Sequence, residues 1–209
     1  MIQGTYDRYT KFKGGGSLES IDFNKDISEE GQGKYTVEDW LNISEDRRVE
    51  LIDGLIYDMA TPTRIHQGFV MGISSAIHAY IQRKGGECRV YPAPFSVQLN
   101  RDEDTIVEPD ISVICDKNKL TDKGCIGAPD WIIEIISPST ASMDYVKKRE
   151  LYMNSGVREY WIVNPETGDI TVYTDEHPFI PKGFRIDGPI RPRLYEDFVI
   201  DFREISKQI

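Results

Sequence analysis

The stretch from Trp131 to Lys148 constrains the fold of this chain more than any other. It begins with WIIEII, in which one carboxylate, Glu134, interrupts an otherwise apolar run. A run without alternation is typical of a strand that is covered on both faces, so Glu134 is expected to be buried. An unpaired buried carboxylate is costly, and it is tolerated only when it is neutralised, hydrogen-bonded or bound to a metal ion.

The residues after this strand predict a turn followed by a helix over about 142–155. Three hydroxyl side chains can cap that helix by accepting a hydrogen bond from its first turn: Ser139, Thr140 and Ser142. Within the helix, Asp144, Lys148 and Tyr152 follow one another at i+4 spacing and therefore share one face. Strand, turn and helix together bring an acid and a base towards one end of a sheet.

Periodicity and turn residues predict an α/β (α+β) fold for the rest of the chain. Thr36 is expected to cap a short helix, and apolar residues at three- and four-residue intervals predict a longer helix over 65–82. VELIDGLIYDM, at 49–59, is expected to form a strand pair or a bent strand, with a hairpin-type turn at Asp53-Gly54. Four strand-like runs are expected to form one sheet: 88–99, 105–115, 131–137 and 159–164.

The length of 209 residues suits one domain, which we place at residues 34–209. Residues 1–33 are rich in glycine and polar residues and are expected to form a flexible tail. No apolar run approaches the roughly 20 residues that span a membrane, and the start of the chain lacks the apolar segment of a signal peptide. These features predict a cytoplasmic protein with no membrane partner.

The formal net charge of −10 argues against a protein that binds nucleic acid through an overall basic field. Short basic clusters do occur, at 8–13, 147–149 and 185–193. Each is short enough to be an ordinary solvated surface.

The three cysteines, Cys88, Cys115 and Cys125, are an odd number without a C-x-x-C spacing. This pattern indicates neither a disulfide framework nor a zinc site. We therefore expect buried free thiols.

Four charged residues are the candidates for chemistry: Glu50, Asp110, Glu134 and Lys148. Asp110 directly follows Pro109, which cannot donate to a strand ladder and therefore predicts a bulge or a sheet edge. An acid at such an irregularity can point into a cleft, although Pro-Asp is also a common turn in which the acid is solvated. Glu134 could likewise face water on an edge strand, and Lys148 could pair with Asp144 on a helix surface.

A carboxylate on each of two successive strands, together with a lysine, matches the needs of phosphodiester hydrolysis by a divalent ion. Two carboxylates hold Mg²⁺ through hard oxygen ligands. The ion polarises the phosphate and lowers the pKa of a bound water, while an ammonium positions the nucleophile or offsets charge in the transition state. The residue types and their order fit this chemistry.

An ordered set of short motifs resembles a known family. The set is E-L-I-D-G (50–54), His66, P-D (109–110), E-I-I-S-P-S-T (134–140), D-x-x-x-K (144–148), Tyr152 and G-V-x-E-Y-W-I-V (156–163). It is similar to the Uma-two family of restriction endonucleases, within the PD-(D/E)XK nuclease superfamily. Each motif is weak alone, but the ordered set is specific, and the resemblance covers about residues 35–175.

The resemblance implies a restriction-endonuclease-like mixed sheet flanked by helices, and an endonuclease that cuts DNA with Mg²⁺ or Mn²⁺. It implies Asp110 and Glu134 as metal ligands and Glu50 as a further acid. The superfamily lysine lies two residues after the second acid, where this chain has Ile136. The resemblance implies that this role has moved to Lys148 on the next helix, with the adjacent Lys147 as the alternative.

Two further residues are candidates for the site. His66 could line the cleft because its helix follows the Glu50 strand, although a lone helical histidine is more often structural or exposed. Tyr152 lies one turn beyond Lys148 and could orient it, with core packing as the equal alternative.

Two other functions stay open at this point. A nuclease-fold protein can serve as a nucleic-acid-binding or protein-interaction module, which the acidic composition favours. A glycosidase would use Asp110 and Glu134 as its carboxylate pair.

An endonuclease that cuts both strands commonly acts as a dimer, so a homodimer is expected. Because like charges held close repel, replacing either acid by alanine is expected not to destabilise the metal-free protein.

Overall fold

The computed structural model describes residues 35–43, 47–99, 104–137 and 143–209. The flexible tail expected at 1–33 and the three candidate caps of the later helix lie outside these residues. The α-helices are α1 (Val37–Leu41), α2 (Arg64–Lys84), α3 (Arg149–Asn154) and α4 (Phe202–Ser206), with a 3₁₀ turn at Lys117–Lys119 and a π-helix at Met143–Lys148. None of the described helices combines the length and the apolar character needed to cross a membrane.

The strands follow one another along the chain as short segments. They are β1 (Val49–Ile52), β2 (Leu55–Asp58), β3 (Arg89–Pro92), β4 (Val97–Gln98), β5 (Ile106–Val107), β6 (Ile111–Ile114), β7 (Leu120–Thr121), β8 (Gly124–Ile126), β9 (Trp131–Ile135), β10 (Glu159–Asn164), β11 (Asp169–Thr174), β12 (His177–Arg185), β13 (Pro189–Ile190) and β14 (Ile200–Asp201).

The described strands form two six-stranded sheets and a ribbon of β13 and β14. The strand order is β2-β1-β5-β4-β8-β7 in the first sheet and β12-β11-β10-β9-β6-β3 in the second. β9 and β10 run parallel, as do β4 and β8, whereas the neighbouring pairs β6–β9 and β10–β11 are antiparallel. The predicted α+β fold with mixed sheets is therefore confirmed.

β9 lies at the centre of the second sheet and is buried on both faces, as its apolar run predicts. On one face, Trp131 belongs to the same apolar cluster as Ile73 of α2. On the other face, Ile132 belongs to a cluster with Tyr152 of α3 and Val97 of the first sheet. Each large apolar side chain buried in this way stabilises the fold by about 1.5–3 kcal/mol. β9 therefore links the helical layer, the second sheet and the first sheet.

Local signals produce the first helices and the first hairpin as predicted. Thr36 caps α1 in a capping box with Asp39, whose carboxylate accepts from the Thr36 backbone N–H at 2.8 Å. Helix α2 ends at Gly85, which has the left-handed conformation usual for a C-cap. β1 and β2 pair through Asp53 (φ 52°) and Gly54 (φ 72°), the two positive φ values that a type I′ turn requires.

The prediction that 88–99 and 105–115 are single strands of one sheet is wrong. Each run divides, into β3 and β4 and into β5 and β6. β3 and β6 join β9 and β10 in the second sheet as predicted, while β4 and β5 join the first sheet. Pro94 and Pro109 lie in the two gaps, and neither has an N–H to continue a ladder.

The helix expected over about 142–155 is not a uniform α-helix. Its first part, Met143–Lys148, is π-helical, and α3 continues from there to Asn154 before Gly156 turns the chain with φ 95°. A π-helical turn closes i→i+5 hydrogen bonds, so it is wider than an α-helical turn. Asp144, Lys148 and Tyr152 are nevertheless all buried, as expected for residues that share an inward face.

The cysteine prediction is wrong for two of the three residues. Cys88 and Cys115 form a disulfide, one residue beyond the pair of Arg89 and Ile114 that ends the β3–β6 ladder. The pairing of two segments that are distant in sequence brings these thiols together, so no local spacing signals it. Cys125 is a buried free thiol as predicted, and burial raises its pKa to about 11.

Candidate active site

Asp110 lies where the chain leaves the first sheet and enters the second, directly before β6. Ile111 pairs with Ile133 in antiparallel register, so Asp110 faces Glu134 one step further along. The Asp110 backbone N–H donates to Glu134 Oε2 at 3.0 Å, and Asp110 Oδ2 accepts from the Ile135 backbone N–H at 2.8 Å. Two of the acids predicted from the sequence are therefore direct neighbours across two strands.

Glu134 is buried within β9, and both of its carboxylate oxygens accept hydrogen bonds. Its exposed fraction is only 4%. Oε1 accepts from Lys148 Nζ at 3.1 Å and from the Tyr152 hydroxyl at 2.8 Å, while Oε2 accepts from Asp110. These donors explain how the carboxylate is tolerated inside the sheet, and they exclude the solvated edge-strand alternative.

Lys148 joins the two sheets at this point. Its Nζ donates to Glu50 Oε1 of β1 at 2.9 Å and to Glu134 Oε1 of β9 at 3.1 Å, and it lies 3.7 Å from Asp144 Oδ1. Glu50 Oε1 also accepts from the Glu108 backbone N–H at 3.0 Å. Lys148 is buried, which excludes the alternative that it pairs with Asp144 on an exposed helix surface.

Three buried carboxylates surround this single ammonium: Glu50, Glu134 and Asp144. Burial raises the pKa of Glu134 well above its ordinary value; Lys148 opposes this shift, and nearby carboxylates, Asp110 first, add to it. Burial alone would lower the pKa of Lys148, but the surrounding carboxylates outweigh it and raise that pKa well above its ordinary value. The lysine therefore remains charged, whereas the Glu134 carboxyl retains a proton more readily than it would in water.

Tyr152 contacts Glu134 rather than Lys148. Burial, followed by the Glu134 charge, raises the pKa of the Tyr152 hydroxyl well above its ordinary value. The hydroxyl therefore stays protonated and donates to Glu134 Oε1. Its ring also packs in the apolar cluster beneath the site, which agrees with the core-packing alternative.

His66 lies in the first turn of α2, which Thr63 caps. Its Nε2 is 3.0 Å from Asp110 Oδ2, and its Nδ1 is buried without a hydrogen-bond partner among the described residues. Because an ionised carboxylate only accepts, Nε2 is the nitrogen that carries the hydrogen in this contact. The imidazole therefore holds Oδ2 of Asp110, while Oδ1 has no hydrogen-bond partner among the described residues.

Lys147 lies outside this cluster, although it is the sequence neighbour of Lys148. Its Nζ is 2.7 Å from the Tyr57 hydroxyl and 3.8 Å from Asp53 Oδ2. Ile136, at the lysine position of the superfamily motif, is buried in the apolar core. Of these three positions, only Lys148 lies among the acids.

Asp144 is the site residue to which sequence reasoning assigned no role beyond pairing with Lys148. It is 4% exposed and stands with Glu50 and Glu134 around the same ammonium. The i+4 spacing from Lys148 was the available signal, but it indicated an ordinary surface pair equally well. Only the burial of this helix against two sheets separates the two interpretations.

The donor chemistry of Asp110 and Glu134 fits a hard divalent cation. Within the described part of the chain, no group of three or more His, Cys, Asp or Glu side chains is arranged to hold a metal ion. Mg²⁺ usually needs only one or two carboxylates, because water and substrate phosphate oxygens complete its shell. Asp110 is partly exposed, and its Oδ1 accepts no hydrogen bond from the described residues. That oxygen, with the adjacent Glu134 carboxylate, meets the requirement.

Comparison with known proteins matches the sequence to a family. The model of the Uma2 family, described as "Putative restriction endonuclease", matches residues 36–182 and so includes every residue of the cluster. An uncharacterized protein of Synechocystis sp. is 27% identical over 143 residues, which cover 67% of this chain and 74% of the relative.

A crystal structure from Anabaena variabilis, titled as a "putative nuclease belonging to DUF820", aligns with a TM-score of 0.67 at 21% identity. The alignment covers 81% of this chain and 98% of that one, which shows a shared fold. Since the family model spans well over half of the sequence and contains the whole acidic cluster, this chain belongs to the Uma2 family.

Proposed function

We propose that this protein is a metal-dependent endonuclease that hydrolyses phosphodiester bonds of DNA. One observation carries the proposal: Asp110 and Glu134 are hydrogen-bonded neighbours, with the Lys148 ammonium in contact with the second acid. Family membership supports nuclease chemistry, and the Anabaena protein of the same fold is described as a "putative nuclease".

Asp110 and Glu134 are the residues that would hold Mg²⁺ or Mn²⁺. When bound, such an ion polarises a phosphate oxygen and lowers the pKa of a bound water. His66 orients Asp110 through Oδ2, so that Oδ1 would remain available to the ion. Tyr152 orients Glu134 through Oε1.

Lys148 contributes a permanent positive charge next to the reacting phosphate. Its ammonium is held by Glu50 and Glu134 from two different sheets, so its position is fixed before substrate arrives. A preorganised charge of this kind stabilises the extra negative charge of a phosphoryl transition state. Glu50 is a positioning residue in this scheme, because it acts through Lys148.

The second candidate is a nuclease-fold protein that binds nucleic acid or a protein without cutting. The net charge of −10 favours the protein-binding role in particular, because binding and cleavage of nucleic acid both require a polyanion to approach. The family match gives no support to the glycosidase alternative.

Cleavage of supercoiled plasmid DNA in Mg²⁺ or Mn²⁺ tests the proposal. We expect nicked or linear products from the wild type, none in EDTA, and none from Asp110→Asn or Glu134→Gln proteins that fold normally. Equal nicking by the wild type and both variants would identify a contaminant and remove the proposal. Parallel reactions with single-stranded DNA and with RNA show which type of nucleic acid is the substrate.

We also propose a cytoplasmic location, a single domain at 34–209, and a homodimer that presents two sites to the two strands of DNA. The Cys88–Cys115 bond is the observation that stands against this location, because structural disulfides are uncommon in reducing compartments. Light scattering tests the dimer: a mass that stays near 23.9 kDa at all concentrations contradicts it.

A further inference from the structure

Arg149 directly follows Lys148 and begins α3. Its guanidinium carbon lies 5.9 Å from the ring centroid of Tyr173 and 5.6 Å from that of Phe179. The guanidinium makes no hydrogen bond or ion pair with any described residue, and its Nε is buried without a partner. Aromatic contacts orient a guanidinium but do not use its N–H groups, so its donors remain available.

Several other described arginines are paired with acids in this chain. Arg47, Arg48, Arg158 and Arg185 each pair with a carboxylate. The sequence holds 35 acidic residues against 25 lysines and arginines, so carboxylate partners are plentiful. A guanidinium that is oriented by rings and left without an acid is suited to a phosphate, whose oxygens match its planar fork.

Next to Arg149, β12 bulges away from its partner strand. Residues 178–181 face Tyr173 alone, because the pairing of β11 and β12 shifts register there. Phe179 and Ile180, at the centre of the bulge, are 65% and 72% exposed. Proline precedes and follows this pair, which stiffens the bulge. Two adjacent, exposed, large apolar side chains indicate a contact surface.

We propose that Arg149 binds a backbone phosphate of the nucleic acid at a position outside the reacting phosphate, with Phe179 packed against the sugar of the same nucleotide. The inference rests on the proposed function. Lys148 points to the acids and Arg149 to β11 and β12, so the two adjacent residues present charge in two directions from one helix. A nucleic-acid backbone carries regularly spaced phosphates, and contacts to them fix its register on the protein.

A local phosphate-binding site at Arg149 is compatible with the acidic composition of the chain. An overall charge of −10 cannot attract DNA through a general field. Individual guanidinium groups that no carboxylate neutralises can still bind individual phosphates. Arg149 then contributes affinity without base specificity, because phosphates carry no sequence information.

Binding of a fluorescent 20-base-pair duplex in EDTA, over a series of salt concentrations, tests the proposal without cleavage. For Arg149→Gln we expect weaker binding to every duplex sequence and a slope of log K against log salt that is smaller by about 1. Arg83→Gln is the matched control. Arg83 also stands over a tyrosine, 5.7 Å from the Tyr80 centroid, but roughly 25 Å along α2 from His66.

Two further variants separate a phosphate contact from a structural role. Arg149→Lys keeps the charge, so the salt slope should equal that of the wild type. Phe179→Ala should weaken binding with no change in slope, and circular dichroism and Tm show whether it folds normally. If Arg149→Gln fails to fold, Phe179→Ala decides: wild-type affinity in a folded Phe179→Ala protein overturns the proposal.

The outcomes also separate this inference from the proposed function. If Arg149→Gln and Arg83→Gln bind with the same slope while the wild type cleaves DNA, only the inference fails. If the wild type binds neither duplex DNA, single-stranded DNA nor RNA, the inference is overturned. Cleavage of plasmid DNA tests the proposed function independently. In cleavage reactions, Arg149→Gln should raise KM and leave kcat unchanged, because the Arg149 side chain binds a phosphate other than the reacting one.

Discussion

The backbone N–H of Asp110 is joined to Oε2 of Glu134 by a 3.0 Å hydrogen bond between neighbouring strands. Because the donor is main chain, strand register rather than a flexible side chain sets the distance between the two acids. Asp110 Oδ2 is held by the next backbone N–H, that of Ile135, and by His66. The acid pair is therefore preorganised, a condition under which electrostatic catalysis is effective.

Asp110→Asn should abolish cleavage while leaving the metal-free protein as stable as the wild type or more stable. The change removes one of the charges that raise the pKa of Glu134 and keeps the shape of the side chain. Wild-type protein should gain about 2.7 kcal/mol of stability at a Mn²⁺ concentration of 100 times Kd, and the variant should gain much less. Thermal melts with and without Mn²⁺ measure this difference, and an equal gain in both proteins argues against the site.

Glu134→Ala should behave differently from Asp110→Asn, because the Asp110 N–H and the Tyr152 hydroxyl lose their acceptor. Lys148 Nζ loses one acceptor and keeps Glu50. Buried donors left unsatisfied cost about 1–3 kcal/mol each. The structure therefore replaces the expectation, drawn from charge repulsion alone, that alanine here is harmless. Urea unfolding in EDTA measures the loss, and Glu134→Gln, which retains an acceptor, is the milder control.

Lys148→Met should destabilise the protein by about 3–5 kcal/mol and abolish cleavage, because it leaves buried carboxylates without their cation. Lys147→Met is the matched control. The Lys147 side chain is 30% exposed and contacts Tyr57, so its loss should cost under about 1 kcal/mol and preserve activity. Equal effects of the two variants in urea melts and plasmid assays would contradict the assignment of Lys148.

The contribution of Glu134 to the stability of the metal-free protein should fall as pH rises above about 4.3, the ordinary pKa of glutamate. Burial raises the pKa of Glu134 in the folded state, against the effect of Lys148 and with that of nearby acids, so the folded protein holds this proton more tightly. Its contribution is complete below the unfolded-state pKa and is lost as pH rises through the higher folded-state pKa. Urea unfolding of wild type and Glu134→Gln in EDTA, from pH 4.5 to 8, isolates this contribution. A constant difference between the two proteins would contradict it.

His66→Ala should weaken Mn²⁺ binding by about 10–100-fold, because it removes the side chain that orients Asp110. Stability should change little, since the Asp110 carboxylate keeps the Ile135 backbone donor. His78→Ala, on the exposed side of the same helix, controls for the loss of a histidine. Calorimetric titration with Mn²⁺ measures both variants, and unchanged affinity in His66→Ala removes this role.

Some features of the site follow from sequence because their signals are local. The unbroken apolar run around Glu134 requires burial on both faces, and β9 is buried throughout. The spacing of Asp144, Lys148 and Tyr152 predicts a shared face, and all three are buried. Pro109 predicts a break before Asp110, and the chain changes sheets there. Each signal depends on residues within about two turns or one strand of one another.

The tertiary structure alone decided which distant residues meet. Glu50 and Lys148 are 98 positions apart and belong to different layers, yet they share a 2.9 Å hydrogen bond. The division of 88–99 and 105–115 between two sheets, and the Cys88–Cys115 disulfide, likewise depend on pairing between remote segments. Periodicity reports which face of an element is apolar, but it doesn't report which element covers that face. The choice of Lys148 over Lys147 follows from that covering, because only the helix face packed between the two sheets reaches the acids.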